Sequence, residues 1–142
     1  QFYDLVLDVP IIGSTSISTP QVNELCQPEW LDNWYSCTDF TTSNDSEIVQ
    51  NFVKSFNTKY GEDPELYAVT YYSAIYLLKD AIERAGSLDS AAIRDALAAT
   101  DGLQVPIGTY KANEMREMVH GGTICRMVDG KAEFLEYVLV KD

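Results

Sequence analysis

The strongest rhythm of apolar and polar positions is helical and runs from Tyr60 to Ser87. Tyr67, Tyr71, Ala74, Ile75, Leu78, Ile82 and Ala85 recur at the spacing of a single helix face. Gly61 suits the position just past a preceding helix. Asp63 then serves as cap, Pro64 opens the helix, and Gly86-Ser87 stops it. Ahead of it, Ile48, Phe52, Phe56 and Tyr60 share a face over about 46–60, with Asn44 and Glu47 spaced as a capping box. Behind it, a third helix is predicted over about 89–99, with Ala92, Ile93, Ala96 and Leu97 inward and Asp101-Gly102 closing it.

The flanks have a shorter period. Val9 to Ile12 is an apolar run ending in Gly13 and reads as a buried strand, followed by a hydroxyl-rich loop from Ser14 to Ser18. Thr19 caps a helix with Pro20 in its first turn, running to about Cys26. Gln27 to Trp30 breaks the chain, Trp34 to Phe40 reads as a second strand, and Thr41 to Asp45 as a polar turn. Near the end, Thr123 to Val128 and Ala132 to Val140 flank Asp129-Gly130, a pairing that fits the tight turn of a β-hairpin. Strands and helices that alternate and then give way to a hairpin predict an α/β fold.

Composition narrows the function. The 142 residues suffice for a compact domain, and 46% hydrophobic content suffices for a core. The formal charge of −12 argues against a nucleic-acid partner, since phosphate neutralisation needs clustered Lys and Arg. No apolar run approaches the ~20 residues that span a bilayer. Cys26, Cys37 and Cys125 have no zinc-site spacing, and His120 is the lone histidine, so no metal site is expected. Cys26 and Cys37 have a spacing that permits a bridge in an exported protein; otherwise all three read as small hydrophobic thiols. His120-Gly121-Gly122 lacks an accompanying nucleophile motif, and the glycines form neither a phosphate-binding loop nor a dinucleotide fingerprint. The pattern predicts a protein that is not an enzyme and needs no cofactor.

Three phrases, in order, carry a resemblance. VPIIGSTSISTPQVNEL is followed by the long segment from YSCTDF to AAIRDAL, then by GLQVPIGTYKAN and RMVDGKAEF. Together they resemble the type I periplasmic (extracellular) solute-binding proteins, the branched-chain amino acid receptor family of ABC importers. The resemblance implies the C-terminal portion of a two-lobed fold with three-layer αβα lobes, ending in a β-hairpin. Residues 1–38 would belong to the second lobe, 39–104 would return to the first as helices, and 105–142 would rejoin the second. It implies an extracytoplasmic receptor that holds a small polar or amphipathic solute, amino acid-like or a small carboxylate, between its lobes. An ABC permease would be its partner. A ligand-sensing regulatory module of the same fold, and an assembly domain without a small ligand, are the alternatives. The opening QFYDLVLD reads as mid-domain, which predicts a fragment of a longer protein. In such a fragment the helices would have lost the sheet they cover, so self-association or a companion segment is expected.

The predicted ligand-binding residues are Ser14, Thr15, Ser16, Asp39, Phe40 and Tyr67. The first three follow the C-terminal end of a strand, where open α/β folds place ligands. By resemblance, Tyr67 lines the cleft from the first lobe, and Asp39 and Phe40 border it where a hinge strand crosses. The family often has an acidic residue where Thr15 stands, which pairs with the ammonium group of an amino-acid ligand. Its replacement here implies a solute without that anchor. Trp30 and Trp34 read as packing residues.

Overall fold

The computed structural model describes residues 9–139. The chain divides into two compact units, residues 9–44 with 122–138, and residues 45–121. The divisions predicted from the sequence fall at 38/39 and 104/105. Val140, the expected end of the hairpin, and the opening QFYDLVLD lie outside the described residues.

The first unit is built on a four-stranded sheet ordered β1-β2-β6-β7, with β1 Ile11–Ser14, β2 Trp34–Thr38, β6 Gly122–Val128 and β7 Lys131–Val138. β1 runs parallel to β2, and β6 is antiparallel to both β2 and β7. Along β6, Thr123, Cys125 and Met127 are buried while the residues between them are not, the period of two expected for a sheet with one packed face. Ser36 sits opposite Cys125 and Thr38 opposite Thr123, and Leu31 completes this core. The hairpin turn is as the sequence predicts. Asp129 and Gly130 have φ values of 48° and 73°, the left-handed pair that matches strand twist. Gly130→Val is therefore expected to destabilise the hairpin by about 1–2 kcal/mol, read from the urea midpoint.

The loop after β2 protects the outer strand β7. Ser43 Oγ donates to the Ala132 carbonyl at 2.9 Å and accepts the Phe134 amide at 2.8 Å; Thr41 Oγ1 also donates to Ala132, at 3.1 Å. These hydroxyls occupy backbone groups that would otherwise template strand pairing. β1 differs from its expectation. It starts at Ile11 and includes Ser14, and Ile12 is 81% exposed, so the strand has one packed face and is not buried on both sides. A short 3₁₀ turn, Thr15–Ser18, replaces the loop, and α1, Pro20–Leu25, follows with Thr19 as N-cap. Thr19 Oγ1 makes no cap bond and donates instead to the Ser16 carbonyl. Pro28–Trp30 forms a second 3₁₀ turn.

The second unit holds three helices and a small antiparallel sheet. The helices are α2 Glu47–Tyr60, α3 Leu66–Ala85 and α4 Ser90–Ala98; the strands β3 Asp101–Val105, β4 Gly108–Ala112 and β5 Met118–Val119 lie in the order β3-β4-β5. Gly61 ends α2 at φ 79°, as expected. α4 is capped by Asp89, whose Oδ2 accepts the Ala91 and Ala92 amides at 3.0 Å each. Arg84 ties the end of α3 to the end of α4 through the Ala96 carbonyl and Thr100 Oγ1.

Several sequence expectations are corrected here. Ser46, not Asn44, is the N-cap of α2, and its side chain makes no cap bond. α3 begins at Leu66 with Glu65 as N-cap; Asp63 instead accepts a hydrogen bond from Asn57, because two further residues stay extended before the helix starts. The strands β3 and β4 lie in a stretch where only a helix stop was foreseen. The apolar stripe of α3 is uncovered, as expected for helices that have lost the sheet they cover. The face that α3 packs carries Val69, Ser73 and Ala81, whereas Tyr67, Tyr71 and Ile75 are 71%, 72% and 65% exposed. Helical periodicity detects an apolar stripe but not what covers it.

Candidate functional site

The hydroxyl-rich turn after β1 is held against β2 by its own side chains. Thr15 Oγ1 donates to the Cys37 carbonyl at 3.4 Å, Ser36 Oγ donates to the Ser14 carbonyl at 3.3 Å, and Ser18 and Ser36 share a hydrogen bond of 2.9 Å. A Cβ at Gly13 would lie 2.7 Å from Ile17 Cδ1, so the tip of that side chain would have to shift. Ser14 and Ser16 are exposed and Thr15 is half-buried, so the turn presents hydroxyls at the C-terminal end of β1. The Thr15 bond is at the long end of the hydrogen-bond range.

In the same unit, Asp39 and Phe40 follow the C-terminal end of β2, and Thr38 Oγ1 donates to the Phe40 carbonyl at 3.4 Å. Asp39 is half-buried. Phe40 is only 8% exposed and packs in the core, so it anchors the loop that carries Asp39. The structure thus brings Ser14, Thr15 and Ser16 together in one turn, with Asp39 at the end of the neighbouring strand. Tyr67 is in the other unit, in the first turn of α3, with its ring in solvent.

The second unit has a feature that the sequence did not single out, a cavity of about 620 Å³ lined by Ile48, Phe52, Tyr72, Tyr76, Gln104 and Pro106 among others. Phe52 and Tyr72 have centroids 4.7 Å apart, and Tyr72 and Tyr76 4.6 Å. The hydrogen bond to Tyr76, then burial and the Tyr76 charge, push Tyr72 from its ordinary 10.0 up to about 12. The available signal was the doubled Tyr71-Tyr72 with Tyr76 four residues on, which puts a second aromatic row beside the expected stripe.

All three cysteines are free thiols. Burial, opposed by a hydrogen bond with Thr41 and reinforced by Cys37, pushes the Cys125 thiol from 9.0 up to about 11. The folded state therefore holds this proton more tightly than the unfolded chain does. Its contribution to stability is complete below pH 9.0 and is lost as pH rises towards about 11. Cys125→Ser is expected to flatten that alkaline decline, measured by urea unfolding from neutral to alkaline pH. Among the described residues no group of His, Cys, Asp and Glu is arranged to hold a metal ion, and no helix is long and apolar enough to cross a membrane.

A parallel β1–β2 pair with a polar turn at its C-terminal end, an antiparallel hairpin closing the same sheet and a separate helical unit define a mixed α/β fold. The chain belongs to the periplasmic binding protein family, whose model matches residues 4–132. Similar solved structures include a branched-chain amino acid ABC transporter protein from Rhodospirillum rubrum, described as putative. It is 27% identical, with a TM-score of 0.83, and the match covers 94% of this chain and 39% of that one. A branched-chain amino acid transporter substrate-binding protein from Streptococcus pneumoniae, in complex with isoleucine, is 24% identical with a TM-score of 0.79; 99% of this chain matches 39% of that one. A solute-binding protein from R. palustris in complex with benzoate is 23% identical with a TM-score of 0.77, with the same coverage of 99% and 39%. The chain thus spans about two-fifths of the length of these proteins. No curated protein matches it. Its architecture is that of the C-terminal portion of a type I periplasmic binding protein, as the resemblance implies.

Proposed function

We propose that this chain forms part of an extracytoplasmic receptor that captures a small solute for an ABC importer and presents it to the permease. The observation that carries the reading is the structural match over nearly the whole chain to transporter solute-binding proteins, at TM-scores of 0.77 to 0.83. In this reading residues 1–38 and 105–142 belong to the second lobe and residues 39–104 to the first. Ser14, Thr15, Ser16 and Asp39 are the proposed solute contacts, with Tyr67 as a further candidate contact.

The solute class follows from the groups offered. The turn supplies hydroxyls, which serve as donors or acceptors, and Tyr67 supplies an apolar ring with one hydroxyl. That combination suits a small amphipathic molecule, amino acid-like or a small carboxylate. With Thr15 at the place of an acidic partner for ammonium, the carboxylate is the better fit. Complexes of similar proteins with isoleucine and with benzoate bracket this range.

The test is a thermal-shift screen of the two-lobed receptor carrying this chain, against amino acids, small carboxylates, aromatic acids and amides. A concentration-dependent rise with one class identifies the solute, and no rise across the panel removes the solute-capture reading. With a ligand in hand, Thr15→Val and Tyr67→Ala are each expected to weaken binding by about 1 kcal/mol at unchanged stability. Titration calorimetry reads the change, and unaltered affinity would return either residue to a structural role.

A further inference from the structure

Ser36 is a polar side chain where packing alone would favour an apolar one. It lies in the middle of β2, opposite Cys125, on the face that buries Thr38, Thr123, Cys125 and Met127, and it is 1% exposed. A hydroxyl withdrawn from water costs stability unless it is bonded. Both of its bonds go to the turn after β1: Ser36 Oγ donates to the Ser14 carbonyl at 3.3 Å and shares a 2.9 Å bond with Ser18 Oγ. Ser18 Oγ also reaches the Thr15 carbonyl at 3.0 Å. Two hydroxyl protons thus serve three links, and Ser36 stays tied to the turn whichever way the protons run. By contrast, the hydroxyls of Ser14 and Ser16, both on exposed residues, have no partner among the described residues.

We infer that Ser36 is a positioning residue of the solute site, an assignment that rests on the solute-capture reading. Buried beneath the turn, it touches no solute; it acts by holding the Ser14–Ser18 segment wound, so that the unbonded hydroxyls of Ser14 and Ser16 stay presented to solvent. The hydroxyls of this segment then divide by role: Ser18, with Ser36, fixes the backbone, and Ser14 and Ser16 are left for the solute. The tether matters because a four-residue 3₁₀ turn has little of its own to hold it, its internal bonds being poorly aligned. Ordering such a backbone costs conformational entropy. With Ser36 in place the fold has already met that cost; without it the solute must order the turn as it binds, and affinity falls.

Titration calorimetry of the two-lobed receptor carrying this chain tests the assignment, with isoleucine, propionate and benzoate as probes. Ser36→Ala and Ser18→Ala remove the same bond from its buried and its half-buried end. Each is expected to weaken whichever probe binds by roughly threefold to tenfold, the worth of one hydrogen bond, with an unchanged circular-dichroism spectrum. Ser18→Thr, which keeps the hydroxyl, is expected to bind as the unaltered receptor does. Amide hydrogen exchange adds a readout that needs no solute: both alanine variants are expected to speed exchange across residues 15–18 several-fold and to leave β6 and β7 as they were. Unchanged affinity in both variants, or exchange of the turn that does not quicken, would overturn the inference and leave the solute-capture reading standing. Weakening by Ser36→Ala but not by Ser18→Ala would also overturn it, because the effect would then come from the packed face of the sheet. Failure of all three probes to bind the unaltered receptor would instead overturn the solute-capture reading, and this assignment with it.

Discussion

Replacing Leu31 with Ala is expected to cost about 3–5 kcal/mol, the largest single loss in the sheet unit. The side chain is wholly buried, and it belongs to a segment pinned at both ends. The Leu31 amide donates to the Pro28 carbonyl at 3.0 Å, and its own carbonyl accepts the Trp34 amide at 3.0 Å. The backbone is thus tied to a 3₁₀ turn on one side and to the first residue of β2 on the other. Such a site is poorly able to collapse around a deletion, so the lost transfer energy and the residual cavity add. Against a typical stability of about 5–15 kcal/mol, the change removes a large share. Trp30 and Trp34 flank the site and are the protein's two tryptophans, so their fluorescence during urea unfolding reports on this unit. The midpoint should fall while the slope stays constant. A loss below about 1 kcal/mol would mean that the segment relaxes into the gap.

How far this architecture was legible depended on where its determinants lie. The hairpin needs only Asp129-Gly130 and the alternation on either side, all within a few residues of each other, and its observed turn is the expected one. The helix spans were equally legible, since Gly61, Gly86 and Asp89 act on their immediate neighbours. What failed was every inference that needed a distant partner. Ile12 was assigned to a buried strand, although its exposure depends on which elements cover the second face of the sheet. The Tyr67, Tyr71 and Ile75 stripe was legible as one helix face, but that Val69, Ser73 and Ala81 form the packed one was not. The β3–β4 pair was missed because Asp101-Gly102 looks like a helix end and nothing local separates that from a strand start with a shifted register. Ser14 to Ser16 were legible as a turn at a strand end, but the bonds through Cys37 and Ser36 reach across to β2 and have no sequence signature. Phe40, near the strand end by position, turned out to be core because β2 stops at Thr38 and the chain folds inward.

Ser73→Ala is the second large effect, and its sign is opposite. Ser73 is fully buried in the middle of α3, and its Oγ has no hydrogen-bond partner among the described residues. Hydroxyls inside helices ordinarily bond back to the carbonyl four residues earlier, as Thr70 does to Leu66 at 2.9 Å and Thr58 to Lys54 at 2.7 Å. Ser73 forgoes that bond and still gives up its hydration. An unsatisfied buried hydroxyl costs about 1–3 kcal/mol, and alanine is also the better helix former by about 0.5 kcal/mol. Removing the hydroxyl deletes one small atom on the packed face of α3, so the packing penalty is minor by comparison. The variant is expected to be more stable by about 2 kcal/mol, visible as a rise of several degrees in Tm. A stabilised variant would identify this position as one where the sequence tolerates a polar defect in the packed face of α3. A destabilised one would mean that the hydroxyl has a partner in solution, such as an ordered water, and that the packed face of α3 is polar by design at this point.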